Sequence, residues 1–231
     1  MNTHSPSQHI HARIGLFGGT FDPIHNGHWL VAMDVLQQFN LDKIHFIPCA
    51  LQPNKTNGPI ASAPDRVAML KLALRDQPRF EICEFEIQRQ GPSYTIDTLN
   101  YFASSLPSGT RLHFIIGMDA FLEIDTWKSY SRLFELAAFI VMTRPGIGES
   151  TEQALRTAAD YARQRISSDY QLDSQSSRLL HPVLQPIHLT GVSQIDIAST
   201  RIRHQIQQGK PIGDWTNKDV AGYIETKGLY R

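Results

Sequence analysis

The sequence predicts an α/β fold, a doubly wound and mainly parallel sheet with helices on both faces, and three observations carry that expectation. Short apolar runs alternate with stretches of helical periodicity along nearly the whole chain. The first run, Ile14-Gly15-Leu16-Phe17, passes through a double glycine, Gly18-Gly19, into a segment with apolar residues at helical spacing. The chain has 231 residues, 41% of them hydrophobic, which is enough to bury one substantial core. Such a Rossmann-like arrangement places ligands at the carboxyl ends of its strands. Residues 1–12 read as a polar tail, and 13–231 as a single domain with a helical and polar insertion at about 147–181.

Ile14 to Phe17 is the first strand, and Trp29, Met33 and Leu36 mark the first helix. Ile44-His45-Phe46-Ile47 is the second strand and ends at Pro48. Residues 51–63, rich in Pro, Asn, Gly and Ser, form a loop. Asp65 to Leu74 is a helix, with Val67, Leu70 and Leu74 on one stripe. Phe80 to Ile87 has strand character, and 95–106 are helical after Ser93. Leu112 to Ile116, ending at Gly117, and Phe139 to Met142 are further strands. Glu152 to Ile166 is helical, while Ser167 to Ser177 is polar, poor in apolar residues and expected to be mobile. The plain reading of 147–181 is a surface excursion, and its rival is an oligomer contact. Pro186 to Leu189 supplies another strand, and helices follow at 200–208 and 217–226.

The chemistry gathers first in Gly18-Gly19-Thr20-Phe21-Asp22-Pro23-Ile24-His25-Asn26-Gly27-His28. A helix N-terminus leaves backbone N–H groups bare and presents the positive end of the macrodipole, so a glycine turn leading into it suits an anionic group. Gly18 and Gly19 carry no Cβ and let the main chain approach a ligand. His25 and His28 are three apart and project toward the same side. Singly, a double glycine is often only a turn, and a histidine is often only packed. Turn, Thr20, two imidazoles and helix start within eleven residues point instead to phosphate chemistry. The chain has no G-x-x-x-x-G-K-[ST] loop and no G-x-G-x-x-G after its first strand.

Gly18 to His28 resembles the G-G-T-F-D-P-x-H-x-G-H signature of the nucleotidyltransferase superfamily, in the form found in bacterial nicotinate-nucleotide adenylyltransferases. The resemblance spans about 13–147 and 186–230. A second segment, Ile197-Ala198-Ser199-Thr200-Arg201-Ile202-Arg203, opens a helix with natural N-cap hydroxyls. Capping explains the hydroxyls but not the arginines, which with the bare N–H groups make a second anion site. It is similar to the family motif I-S-S-T-x-I-R, with Ala198 where Ser is usual. The resemblance implies that Ser199, Thr200 and Arg203 hold the β- and γ-phosphates of ATP, with Arg201 at a variable position.

Between these segments lie others that resemble the family's substrate pocket. Ser93-Tyr94-Thr95-Ile96-Asp97-Thr98-Leu99 is similar to S-Y-T-x-D-T-L, which implies mononucleotide binding by Tyr94, Thr95 and Asp97. Read alone, Asp97 is only a first-turn carboxylate favoured by the helix dipole. Gly117-Met118-Asp119 resembles G-x-D, whose carboxylate takes ribose hydroxyls of the ATP side. Asp125-Thr126-Trp127-Lys128 resembles the segment whose indole stacks on the pyridine ring, and Thr143-Arg144-Pro145-Gly146 resembles the R-P-G turn, giving Arg144 to the mononucleotide. Gln52-Pro53-Asn54-Lys55 departs from the family's P-P-H-K, and Lys55 keeps a point charge for a phosphate. Asp219 to Tyr230 resembles the family's closing helix and reads as structural.

Composition narrows the remaining classes. With 22 basic and 22 acidic residues and no Lys/Arg run, nucleic-acid binding through a broad basic face is not expected. Cys49 and Cys83 form neither a metal-type pair nor a disulfide framework, which suits a reducing compartment. No signal-peptide core and no membrane-length apolar run is visible, so a cytoplasmic protein is expected. Two histidines at i, i+3 without Cys or carboxylate partners make a poor zinc site, so no protein-held metal is assigned. The resemblance implies an in-line attack by nicotinate mononucleotide on ATP, accompanied by Mg²⁺ held mostly by phosphates and water. His25, His28 and Arg203 are the catalytic candidates, and His25, His28, Gly18, Gly19 and Thr20 the ATP-side contacts. Two other readings stay open: a sister enzyme acting on nicotinamide mononucleotide, phosphopantetheine or glycerol phosphate, and a non-catalytic nucleotide sensor.

Overall fold

The computed structural model describes residues 11–51, 60–89, 91–143, 150–173, 175–192 and 197–231. Among them run the strands β1 (Arg13–Gly19), β2 (Lys43–Pro48), β3 (Phe80–Ile82), β4 (Arg111–Gly117), β5 (Ala138–Thr143), β6 (Gln171–Asp173), β7 (Arg178–Leu180) and β8 (Ile187–Gly191). The helices are α1 (Asn26–Gln38), α2 (Ala63–Leu74), α3 (Phe85–Gln88), α4 (Thr95–Ser105), α5 (Met118–Phe121), α6 (Tyr130–Leu136), α7 (Thr151–Tyr161), α8 (Ser199–Gln207) and α9 (Lys218–Lys227).

The strands form one sheet in the order β3-β2-β1-β4-β5-β8-β7-β6. Pairing is parallel from β3 to β8 and antiparallel across β8-β7-β6. Side chains alternate across this sheet and feed two cores. Ile14, Leu16, Leu112, Phe114, Ile116, Phe139 and Val141 pack under α4, α6 and α7. Phe17, Ile44, Phe46, Ile115 and Ile140 pack under α1, α2, α8 and α9 on the other face. The sequence leaves β1 outward to β2 and β3 and then returns to β4 on the opposite side, so the winding reverses between β1 and β4. At that switch a crevice opens beyond the strand ends.

Three expectations change. Phe80 to Ile87 is not one strand: β3 pairs only through Phe80, Glu81 and Ile82 at the sheet edge, and Phe85 to Gln88 turns into α3. Phe85 there stacks on Tyr101 of α4, with ring centroids 4.3 Å apart, a contact that a continued edge strand would forgo. The helices α5 and α6 and the tight turn Ile124–Thr126, too short to show periodicity, were not expected. The polar tract after Ile166 is not all loop: it carries β6, which pairs with β7, with position 174 outside the described residues. Tyr170 is 1% exposed and donates to the Gln185 carbonyl at 2.9 Å, Leu179 is buried, and β7 pairs with β8. Tyr170 within the tract and Leu179 just after it anchor a segment whose composition is otherwise that of a loop.

At the amino ends of the strands, His113 of β4 and His188 of β8 are held neutral, each pushed down to about 4. Burial is the main cause for both, with Arg13 and the neighbouring histidine adding repulsion at His113, and Arg178 and Arg13 at His188. An unfolded histidine titrates near 6.5, so between about pH 6.5 and 4 the unfolded chain binds more protons than the folded one. Stability is therefore full above pH 6.5 and is lost as pH falls through that window, by several kcal/mol for the pair. Thermal unfolding followed from pH 7.5 to 4.5 should show a steep fall in Tm that His113→Gln flattens. An equally steep fall in that variant would remove His113 as a cause.

Candidate active site

The phosphate-loop sequence folds as a tightly braced turn. Gly18 and Gly19 end β1 opposite Ile47 and Pro48, and the Gly19 carbonyl accepts the Cys49 N–H at 2.9 Å. Gly19 is needed for packing: a Cβ there would stand 2.8 Å from the Phe21 ring. Phe21 itself takes the left-handed conformation, φ 49°, and its buried ring lies edge-on to His28 at 5.1 Å. The Asp22–Pro23 peptide is cis. Asp22 is buried, and its carboxylate accepts from the backbone of Ile60 and Ala61 at 2.8 and 3.1 Å and from the Tyr230 hydroxyl at 2.7 Å. From α2, the buried Arg66 donates to the Thr20 carbonyl at 2.7 Å. Thr216 and Asn26 fasten the far end, through the Ile24 and Asp214 carbonyls at 2.9 and 3.1 Å.

That frame sets the two imidazoles. His25 caps α1 and stacks on His28, ring centroids 3.7 Å apart. Gly27 permits this, since a Cβ there would be 3.0 Å from His25 Nδ1. The His25 amide donates to His28 Nδ1 at 3.3 Å, which leaves the ring proton on Nε2. Burial, and then the charge of His25, hold His28 well below the ordinary histidine range. His28 is thus a neutral ring with one N–H directed away from the helix backbone. It can donate to an anion without having first been charged.

The second anion segment, 175 or so residues downstream, docks on this turn. Ser199 Oγ donates to the Pro23 carbonyl at 2.9 Å, and Arg203 Nη1 to the Asp22 carbonyl at 2.7 Å. Arg203 Nη2 reaches Thr200 Oγ1 at 3.4 Å. A guanidinium carries five N–H donors, so Arg203 retains some for a ligand, whereas the single Ser199 proton must be exchanged before it can reach a phosphate. The first turns of α8 are therefore tied directly to the Asp22-Pro23 turn that leads into α1.

Beside them, at the reversal between β1 and β4, lies a cleft of about 380 Å³. Gly18, Gly19 and Gly117 form its strand-end floor, and Ser93, Tyr94, Thr95, Trp127 and Lys128 its far wall. Trp127 is half-buried and perpendicular to Phe114, at 6.3 Å, which leaves the indole fixed in orientation. Lys128 lies over the Tyr94 ring at 4.4 Å. Asp97 does not line the cleft as expected. It pairs with Arg89 at 2.9 Å and Lys128 at 3.8 Å, because as a first-turn residue it projects along the helix toward those cations. Asp119 is exposed in α5 next to Gly117, outside the cleft wall. Lys55 and Arg144 lie outside the described residues.

Sequence reasoning missed Asp22, Arg66, Tyr230 and Glu86. Asp22 is an acid inside a phosphate motif, which argues against a ligand role, and its structural one depends on partners 38, 39 and 208 residues away. Arg66 offered one signal, a lone cation among the apolar positions of α2. Among the described residues, no group of three or more His, Cys, Asp or Glu is placed to hold a metal ion, and no helix is long and apolar enough to cross a membrane.

The chain is similar to known proteins in sequence and in fold. A protein of Desulfatibacillum aliphaticivorans named probable nicotinate-nucleotide adenylyltransferase is 42% identical over 94% of this chain and 99% of its own length. One of Thermoanaerobacter with the same name is 34% identical over 95% of this chain and 94% of its own. The fold matches the Plasmodium falciparum nicotinic acid mononucleotide adenylyltransferase solved in complex with NaAD, with a TM-score of 0.69 at 19% identity over 95% of this chain and 98% of that one. The model of the cytidylyltransferase-like family matches residues 16–205. With the start of α8 docked on the turn that leads from β1 into α1, and with full-length relatives of this kind, the chain belongs to the cytidylyltransferase-like family, among its nicotinate-nucleotide adenylyltransferases.

Proposed function

We propose that the protein transfers the adenylyl group of ATP to nicotinate mononucleotide, giving nicotinate adenine dinucleotide and pyrophosphate in NAD biosynthesis. The observation that carries this reading is the docking of Ser199 and Arg203 onto the Asp22-Pro23 turn beside His28, next to a cleft walled by Tyr94, Thr95 and Trp127. The names of the full-length relatives support it.

A phosphate monoester has its second pKa near 6 and is largely dianionic at neutral pH, so the attacking group needs no general base. One of its oxygens bonds to the α-phosphorus of ATP as the bond to the bridging oxygen breaks, and pyrophosphate leaves in line with that electron pair. The protein's task is alignment of two anions that repel, and donors where charge grows. His28 Nε2–H serves the α-phosphate, with His25 stacked against it. Thr20 and the amides of Gly18 and Gly19 hold phosphate oxygens, and Thr200, Arg203 and, after rotation, Ser199 steady the leaving group. Lys55 adds a point charge, and Asp119 beside Gly117 takes ribose hydroxyls. Trp127 stacks on the pyridine ring within the wall of Tyr94 and Thr95, Arg144 contacts the mononucleotide, and Asp97 acts by holding Lys128 and Arg89. Mg²⁺ brought in with ATP would be held mostly by the phosphates and water and would supply charge neutralisation at the phosphate the nucleophile approaches. A cytoplasmic setting suits two cysteines that form no disulfide.

The test is pyrophosphate release by the purified protein with ATP and Mg²⁺ in the presence of nicotinate mononucleotide, nicotinamide mononucleotide, phosphopantetheine or glycerol phosphate. The expected result is the highest kcat/KM with the nicotinate compound. A higher value with another acceptor overturns the substrate assignment, and ATP binding without release overturns the enzyme assignment.

A further inference from the structure

Glu86, on the short helix α3, lines the same cleft as Trp127 and has no part in the chemistry above. It accepts a hydrogen bond from Thr98 Oγ1 at 2.6 Å and another from the Ser93 hydroxyl. Each donor is itself locked. Thr98 is 1% exposed, and the Ser93 oxygen accepts the Ala50 N–H at 3.0 Å while its own N–H reaches the Leu51 carbonyl at 2.9 Å. Ser93 and Thr98 flank the start of α4, whose N-cap, Tyr94, supplies no capping side chain. The first turn of α4 is thus braced by a neighbour's carboxyl instead of a capping side chain. Glu86 reaches both Ser93, just before that turn, and Thr98, just after it.

We propose that Glu86 is a positioning residue for the mononucleotide, fixing the Ser93-Tyr94-Thr95 wall against which the pyridine end is bound. The proposal rests on the nicotinate mononucleotide reading. Burial raises the Glu86 carboxyl above the usual carboxylate range, against the pull of its two hydroxyl donors and Arg89 and with a small push from Asp97. That direction lessens the repulsion an anionic pyridine substrate would meet there. Two hydrogen bonds of about 1 kcal/mol each set the scale of the effect, a factor on the order of 10 to 30 in binding.

Steady-state kinetics of wild type, Glu86→Ala, Glu86→Gln and Thr98→Val, with calorimetric titration of nicotinate mononucleotide into each, test it. Glu86→Ala should raise the KM and Kd for the mononucleotide about tenfold or more while kcat and the KM for ATP stay within about twofold. Glu86→Gln, which keeps an oxygen acceptor of the same shape, should recover most of that loss, and Thr98→Val should show a smaller rise in the same constant. Unchanged mononucleotide constants in Glu86→Ala, or equal losses in both substrates' constants, would overturn the proposal. A wild-type protein that binds the mononucleotide but releases no pyrophosphate defeats the reaction reading alone, and the titrations still decide the role of Glu86.

Discussion

His28→Ala is expected to lower kcat by a factor on the order of 10² to 10³ with little change in fold. That is the range for removing one preorganised donor from a site of developing charge. The structure gives the reason to expect this of His28 among the ten histidines in the chain. Its Nδ1 is committed to the His25 amide, its face to the His25 ring, and its edge to Phe21, so the Nε2–H is aimed before substrate arrives. Burial keeps it neutral, and it donates without releasing or taking a proton. His28→Asn, a shorter donor, should recover a small part of the loss. Single-turnover rates with saturating ATP and mononucleotide, beside circular dichroism of the variant, check the claim. A kcat within threefold of wild type would remove His28 from the mechanism.

Asp22→Ala should destabilise the protein by about 3–5 kcal/mol, the range for removing one partner from a buried charged network. Two backbone N–H groups and the Tyr230 hydroxyl would lose their acceptor inside the protein. Two cations, Arg66 and Arg203, lie close enough to influence that same hydroxyl, and they would lose a neighbouring negative charge. Urea denaturation of wild type and variant measures the change directly. Because the same carboxylate ties the Ile60-Ala61 segment and the C-terminal Tyr230 to the phosphate turn, the KM for ATP should rise in the folded fraction as well. A destabilisation below about 1 kcal/mol would mean that water satisfies those donors and that Asp22 is not the brace.

Much of this site was legible in the chain. The His25/His28 pair, the Gly18-Gly19 turn and the Ser199/Thr200/Arg203 helix start are local patterns, and helix starts collect anions wherever they occur. Their assembly was legible only through resemblance, since nothing in 170 residues of intervening sequence says that α8 lands on Pro23. Gly19 also has a packing role that the sequence did not announce, for a related reason. Its missing Cβ makes room for the Phe21 ring, and a ring folding back over two residues leaves no trace in periodicity. The ion pairs of Asp97 were not legible, because a first-turn carboxylate can face either the cleft or nearby cations, and that depends on where Arg89 and Lys128 lie.

By itself the sequence determined the alternation of strands and helices, the mainly parallel sheet and the two polar helix starts, because these depend on periodicity, glycine and helix ends within a few residues of one another. The tertiary structure decided which groups are braces and which are donors. Asp22, Arg66, Tyr230 and Glu86 acquire their roles from partners far away in the chain or from burial. A carboxylate or guanidinium has no fixed function until its desolvation and its neighbours are known.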